Sequence, residues 1–467
     1  TTPLRNGMNK FSQPECNFLK SDISRVRDYY THQYKNLIPI RNVETFMSID
    51  EAVDSSGLPG YKRVDKWTSP GIPYSYTKPP RAKGSEYMFQ YKNDRLYLID
   101  EQIRTDVATL CSDAQKGIYH PCFFCATLKD ERRLLEKIEK TRIFTAGNKA
   151  FTIFFRQHLL DFMVMLSESR HATGHAVGTN PHGPEWARWL DFLHQVGTPG
   201  QPLKLVAGDY SKFDGMIDCH LMRNLIESAY ETMVYHGMPD EHQNCFQSIA
   251  EDLCFPNVLV HDAVYILQRG EPSGSPGTAP LNSEINKWML TLAFLSITRD
   301  YAPRLCSLSY FQNNVRLIVY GDDFVLSVSD ELAPFFNFLT IQRFFQAHNI
   351  ILTEPSKQNC DPRPFIPLAE VTFLKRYFRM VEGRVTAPMD DVNRREITNW
   401  IRDGSGMTPE DATTLNVEVV LRETVHLGRA AFNQEKLYMN SLLVENGLSP
   451  VNLYYDDLLE DNGLYLF

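Results

Sequence analysis

Residues 315–329 read VRLIVYGDDFVLSVS. Two apolar runs of Val, Ile, Leu, Phe and Tyr flank Tyr320-Gly321-Asp322-Asp323, and Gly-Asp supplies a turn. The stretch therefore reads as a β-hairpin with two adjacent carboxylates at its tip. Like charges held beside apolar walls are costly unless something positive sits on them. A divalent cation is one explanation; a solvated surface hairpin with an acidic tip is the other. The rest of the chain separates the two.

Leu203 to Ala207 (LKLVA) is a second strand-like run, ending at Gly208-Asp209, with Asp214 further on. Carboxylates brought together from two strands make a cradle for a pair of divalent ions. Such a pair activates a hydroxyl attacking phosphorus and stabilises the leaving oxygen. Between the acidic strands lies Gly270-Glu-Pro-Ser-Gly-Ser-Pro-Gly-Thr278. No Gly-Lys-Ser/Thr follows its glycines, so it is not a P-loop, and it lacks the dinucleotide fingerprint. Gly274 and Gly277 allow close backbone approach to a ligand, and Ser273, Thr278 and Asn282 offer small hydrogen-bonding groups. Taken alone, the same letters suit a plain turn before a helix.

The chain of 467 residues is too long for one small core, so two or three subdomains are expected. Its 43% apolar and 22% charged residues are an ordinary globular balance, and the net charge of -9 means any nucleic-acid site must come from local segregation of charge. One such segment is 128–156, where Lys129, Arg132, Arg133, Lys137, Lys140, Arg142, Lys149 and Arg156 outnumber the acids; a phosphate-binding role is expected there. Nine scattered cysteines fit reduced intracellular thiols better than a disulfide framework. Cys122 and Cys125 form a CxxC near His120, but no second pair at zinc-ribbon spacing accompanies them. The polar N-terminus is read as helix-poor with no signal peptide, and no apolar run approaches the ~18–20 residues of a membrane span.

Residues 1–118 alternate short pieces with Pro/Gly-rich turns, apart from a helical stripe over 96–111. Helices are expected over 151–167, within 216–254 (two), from 282 to 295, over 332–348, and across 391–402 and 410–427. The stretch 258–267 reads as a strand or strand pair, and 371–380 as a strand-like piece. The Gly/His-rich 171–184 is read as a loop near substrate, because its histidines lack helical metal-ligand spacing.

The order DYSKFD, SGSPGT with Asn282, YGDD, a lysine, then FLKR resembles the palm motifs of RNA-directed RNA polymerases. More narrowly it resembles the primer-dependent polymerase of picorna-like positive-strand RNA viruses, with the phrase APMDDVNRREITNWIRDG inclining towards insect viruses. The resemblance implies an α+β, closed right-hand fold: fingers 1–198 and 219–269, palm 199–218 and 270–385, and a small helical thumb 386–467. It implies Asp209 and Asp322 as ligands of two magnesium ions, with Asp323 assisting and manganese able to substitute. Asp214, Ser273, Thr278 and Asn282 would sense the ribose 2′-hydroxyl, with Gly274 also in the substrate-binding set. Arg142, with Lys129, Arg133 and Lys140, would hold the triphosphate, and Lys357 would protonate pyrophosphate. Lys375 and Arg376 would grip the primer; Gly178, Asn180 and Pro181 would border the template channel.

The expected partners are template and primer RNA, nucleoside triphosphates, a small viral protein primer and other viral replication proteins; homo-oligomeric arrays are also admitted. The expected place is a membrane-associated replication complex in the host cytoplasm. One departure is that the family commonly presents an N-terminal glycine where this chain begins Thr1-Thr2, through a different lineage habit or a different cut. The rival readings are a reverse transcriptase, a catalytically silent RNA-binding component of a replication complex, and a two-metal nuclease. Asp214, where reverse transcriptases tend to carry a bulky steric gate, speaks against the first.

Overall fold

The computed structural model describes residues 2–131, 135–355, 361–401 and 406–464. At its centre is a four-stranded antiparallel sheet in the order Leu352–Thr353, Lys204–Tyr210, Asp323–Val328, Val315–Tyr320. The hairpin closes with Tyr320 paired to Asp323, and Gly321 takes φ +60° in the two-residue turn, a conformation that favours glycine. Alternate residues of the sheet enter different cores, as the two-residue period of a strand requires. Val206, Leu317, Val319, Phe324 and Leu326 join the main core. Leu205, Ala207, Ile318 and Val325 join a second core with Trp186 and Trp189. Both faces are covered, which is why these strands read as continuous apolar runs.

A second four-stranded sheet runs Ile143–Ala146, Phe123–Leu128, Asn257–Val260, Ala263–Ile266, with its two middle strands parallel. The 258–267 stretch is thus a strand pair. The expected helices within 216–254 are Cys219–Tyr235 and Gln243–Cys254. Near the C-terminus, Pro409–Thr424, Arg429–Glu445 and Tyr455–Asp461 pack around a third core containing Val420, Leu421, Phe432 and Leu458.

Three local expectations are corrected. Leu96 and Leu98 lie in the strand Arg95–Leu98, and the helix starts only after Asp100, whose side chain accepts from the Ile103 N–H at 3.0 Å. A cap, not the apolar period, sets that boundary. The helix expected over 332–348 spans only Phe338–Ala347, started by a capping box between Asn337 and Thr340. The N-terminus, read as helix-poor, forms the helix Thr2–Met8, where Gly7 packs directly on Ile143.

The helix Thr278–Tyr301 lies against the hairpin and is pinned by one buried carboxylate. Glu284, wholly buried, accepts from His175 Nδ1 (2.7 Å), from Lys287 Nζ (3.0 and 3.2 Å) and from the Tyr34 hydroxyl. Burial alone pushes Glu284 up, but Lys287, His175 and Tyr34 outweigh it and hold its pKa at about 2. A depressed carboxylate stabilises the fold above its unfolded pKa, so this contribution is complete above pH 4.5 and lost as the pH falls towards about 2. Glu284→Gln keeps the shape and strands the buried Lys287 ammonium. Equilibrium unfolding at neutral pH should show a loss of about 3–5 kcal/mol; an unchanged midpoint would show that this buried carboxylate does not hold the helix.

Candidate active site

The sheet delivers four carboxylates to one end. The pairing of the Lys204–Tyr210 and Asp323–Val328 strands reaches Gly208 opposite Phe324, so Asp209 and Asp323 emerge together, with Asp322 at the adjoining tip. Asp214 follows on the short helical turn Phe213–Met216. Asp322 is open to solvent on one side and crowded on the others; burial, then the charges of Asp214 and Asp209, raise its pKa. Burial raises Asp323 to about 7, with Asp322 and Asp209 adding to it and the Leu374 N–H, donated at 2.6 Å, opposing it. Leu374 and Lys375 form the turn between Thr372–Phe373 and Arg376–Tyr377, at φ +53° and +59°.

The hairpin tip is locked onto the Thr278–Tyr301 helix. The Gly321 N–H donates to Ser283 Oγ (2.8 Å), and Asn286 Nδ2 donates to the Gly321 carbonyl (3.0 Å). The Tyr210 hydroxyl donates to Asn286 Oδ1 at 3.1 Å, tying the Asp209 strand to the same helix.

Asp214 accepts from Asn282 Nδ2 at 3.1 Å and faces Lys10 Nζ at 3.7 Å. Asn282 is buried, and its Oδ1 has no protein partner. Lys10 also donates to Ser273 Oγ at 3.5 Å, so the N-terminal segment links two expected site residues. A Cβ on Gly215 would stand 2.0 Å from the Lys10 carbonyl, so only glycine permits this approach.

The 270–278 loop joins three parts of the chain through its backbone. The Glu271 N–H donates to the Asp214 carbonyl (2.8 Å), and the Gly274 N–H donates to the Thr145 carbonyl (3.0 Å). Beneath it, burial pushes the Glu271 carboxyl well up, while Ser275 donates to it at 2.7 Å. Thr278 is turned inward, its hydroxyl donating to the Ser275 carbonyl at 3.0 Å. The 171–184 stretch, which begins in the short helix Arg170–Thr173, abuts the hairpin: the Ala176 N–H donates to the Val319 carbonyl and the Val319 N–H to the Gly174 carbonyl.

The basic candidates divide. Arg142 is exposed beside the strand Ile143–Ala146 and engages Glu131 at 2.5–3.2 Å; this pair raises its pKa, and Asp214 and Asp322 are near enough to contribute. Lys129 is exposed just beyond the end of the neighbouring strand Phe123–Leu128. Lys149 and Arg156, counted with the phosphate-binding segment, are instead structural. Lys149 is buried against the Asp65 carbonyl and Thr68, and Arg156 donates to the carbonyls of Ala52 and Lys62. Arg376 is also corrected. Its guanidinium is buried, bidentate on Glu423 at 2.7 and 2.8 Å, and joins the hairpin to the C-terminal helices instead of facing a primer. Lys375 at the adjacent turn is exposed. Gly178 and Asn180 are exposed and Pro181 half-buried; the Asn180 side chain caps its own loop by accepting from the His182 N–H. Arg133, Lys357 and the Lys140 side chain lie outside the described residues.

Lys10 and Glu271 were not anticipated. Only the position of Glu271 inside the glycine-rich loop hinted at either. Among the described residues the CxxC gathers no metal-binding set, whereas Cys111–His158–His242–Cys245 and His182–Glu423–His426 each bring ligand atoms close enough to hold a metal ion.

An acidic hairpin beside a carboxylate-ended strand, with a glycine-rich loop and with Arg142 and Lys129 at the ends of two paired strands, is an arrangement that suits a nucleotidyltransferase of the right-hand type. A sequence profile described as viral RNA-dependent RNA polymerase matches residues 1–442, and the chain belongs to that family. It is 28% identical over 473 residues to the replicase polyprotein of Cricket paralysis virus, covering 96% of this chain and 26% of the polyprotein. It is 30% identical over 369 residues to that of Acute bee paralysis virus (77% and 19%), and 29% over 445 residues to the genome polyprotein of Deformed wing virus (92% and 15%). The chain thus spans 26% or less of these relatives. The Sicinivirus 3Dpol RNA-dependent RNA polymerase shares the fold, with a TM-score of 0.74 at 20% identity over 98% of this chain and 88% of that one. The architecture is therefore a mixed α/β right hand of fingers, palm and thumb. Template-directed RNA synthesis is the activity that the description of the matching family carries.

A Cβ on Gly274 would lie 2.5 Å from the Thr145 carbonyl oxygen, a backbone atom that cannot yield cheaply. Gly274→Ala should displace the loop and lower primer extension about a hundredfold with little change in melting temperature. Parent-level extension would show that the close approach is dispensable.

Proposed function

We propose that Asp209, Asp322 and Asp323 form the catalytic centre at which a primer 3′-hydroxyl attacks the α-phosphate of a nucleoside triphosphate, releasing pyrophosphate. The observation that carries this reading is the convergence of carboxylates from two strands, with burial and mutual repulsion raising Asp322 and Asp323. That donor set suits a hard dication, which would relieve the repulsion. Asp209 and Asp322 would hold two magnesium ions, or manganese in their place, with Asp323 assisting because one of its oxygens is already committed to Leu374. When bound, the ions supply the positive charge that favours an ionised attacking oxygen and offsets charge on the leaving group.

The nucleotide is oriented by this chain's own groups. The buried, unpartnered Asn282 Oδ1 next to Asp214 accepts the donor proton of a ribose 2′-hydroxyl, with Ser273 alongside. A deoxynucleotide leaves that acceptor unpaired, which is the basis for rejecting it. This favours an RNA polymerase over the reverse transcriptase reading. Arg142 and Lys129, joined in this proposal by Arg133 and Lys140, hold the triphosphate; Arg142 exchanges Glu131 for phosphate oxygens. Lys357 protonates the pyrophosphate, Lys375 follows the primer backbone, and Gly178, Asn180 and Pro181 border the template. Fingers 1–198 and 219–269, palm 199–218 and 270–385, and thumb 386–467 are the proposed divisions. Initiation uses a tyrosine of a small viral protein, and the enzyme works with other viral replication proteins, as arrays or singly, in membrane-associated complexes of the host cytoplasm. Among the described residues no helix is long and apolar enough to cross a membrane.

Primer extension on a defined RNA template tests this directly. Asp322→Ala should abolish elongation and leave template binding largely intact. Asn282→Ala should weaken the preference for ribo- over deoxynucleotides by about tenfold or more. Equal use of both by the parent protein, or parent-rate extension by Asp322→Ala, would overturn the assignment.

A further inference from the structure

Away from the carboxylates, four side chains from three helices meet in the interior. Cys111 comes from Glu101–Gln115, His158 from the middle of Lys149–Glu168, and His242 and Cys245 from the start of Gln243–Cys254 and the turn before it. His158, His242 and Cys245 are buried and Cys111 is half-buried. One ligand atom from each lies within 4.8 Å of all the others. We propose that Cys111, His158, His242 and Cys245 form a structural zinc site in the fingers, outside the polymerase centre.

The geometry matches what zinc requires. Zn–N bonds of about 2.0–2.1 Å in a tetrahedron put two nitrogens about 3.3–3.4 Å apart. His158 Nε2 and His242 Nδ1 are 3.3 Å apart. His158 Nδ1 donates to the Phe154 carbonyl at 2.8 Å, which leaves the Nε2 lone pair directed at the cluster. This outer hydrogen bond is the kind that fixes the ring of a metal-bound histidine. The far nitrogen of His242, Nε2, is turned towards the Glu241 carboxylate, 3.9 Å away.

Charge and surroundings agree. Loss of the two thiol protons gives two thiolates, which with one Zn²⁺ and two neutral imidazoles make a neutral centre, suited to burial. Phe46 stacks on His242 at 3.7 Å between ring centroids, and Phe154 and Phe246 edge His158, so the shell is apolar. Four protein ligands leave no open position, which marks a structural centre. The His182–Glu423–His426 group is weaker, because Arg376 already occupies both oxygens of Glu423.

The test is metal analysis of the full chain, purified under reducing conditions without chelator. About one zinc per chain is expected after dialysis, with a lower melting temperature once a strong chelator removes it. Cobalt substitution should give the visible bands of a tetrahedral site and thiolate-to-cobalt charge transfer, which needs no variant to fold. Cys245→Ser and His242→Ala should lose zinc, whereas Asp322→Ala should keep it, separating this site from the polymerase centre. Absence of zinc with no thermal shift on adding it, cobalt without thiolate bands, or a Cys111–Cys245 disulfide in the unreduced protein would each overturn the proposal.

Discussion

Like-charge repulsion at the end of the central sheet is the constraint the rest of the molecule answers. Asp209, Asp214, Asp322 and Asp323 are brought close enough for the others to raise Asp322 and Asp323. Such an arrangement would spread apart unless the backbone beneath it were over-determined. The supports act on the backbone through the ladder from Lys204 to Gly208 and through Ser283 and Asn286 on Gly321, and on a carboxylate through the Leu374 N–H that donates to Asp323. The Thr278–Tyr301 helix that carries Asn282, Ser283 and Asn286 is in turn fixed by buried Glu284, which accepts from His175 and Tyr34 of other segments.

Cations show the same division of labour. Lys149, Arg156 and Arg376 satisfy buried carbonyls or a carboxylate and are committed to architecture. Arg142 is exposed, and its pairing with Glu131 is the kind of surface contact worth little on its own. In the proposed nucleotide complex a triphosphate, with more charge and more acceptor oxygens, competes for that guanidinium. Lys10 sits between the classes: burial lowers its pKa, Asp214 opposes this, and its ammonium reaches Asp214 and Ser273 together.

The parts of this arrangement that could be read from the sequence are those determined by neighbours in the chain. Apolar runs marked the hairpin and the Asp209 strand, and glycines marked the loop that must pass close to Thr145. Boundaries failed where a polar cap outweighed the apolar period, as at Asp100 and Asn337. What stayed hidden depends on distant partners. Nothing near Lys10 in the chain announces Asp214, and nothing near Arg376 announces Glu423. The CxxC drew attention because its cysteines are close in sequence, yet the better tetrahedral set is spread from Cys111 to Cys245.

That set has a mechanical relation to the chemistry. The Lys149–Glu168 helix begins just after the strand Ile143–Ala146, which meets the 270–278 loop at Gly274 and has Arg142 at its start. A helix transmits a displacement at its middle to its end, because its hydrogen-bond ladder resists bending. Fixing His158 against two other helices therefore limits how far the strand, and the loop resting on it, can move. Apolar packing alone tolerates small sliding between helices, whereas four directional bonds to one ion do not. The proposed closed metal centre in this position would hold the 270–278 loop to a register that hydrophobic contacts leave looser.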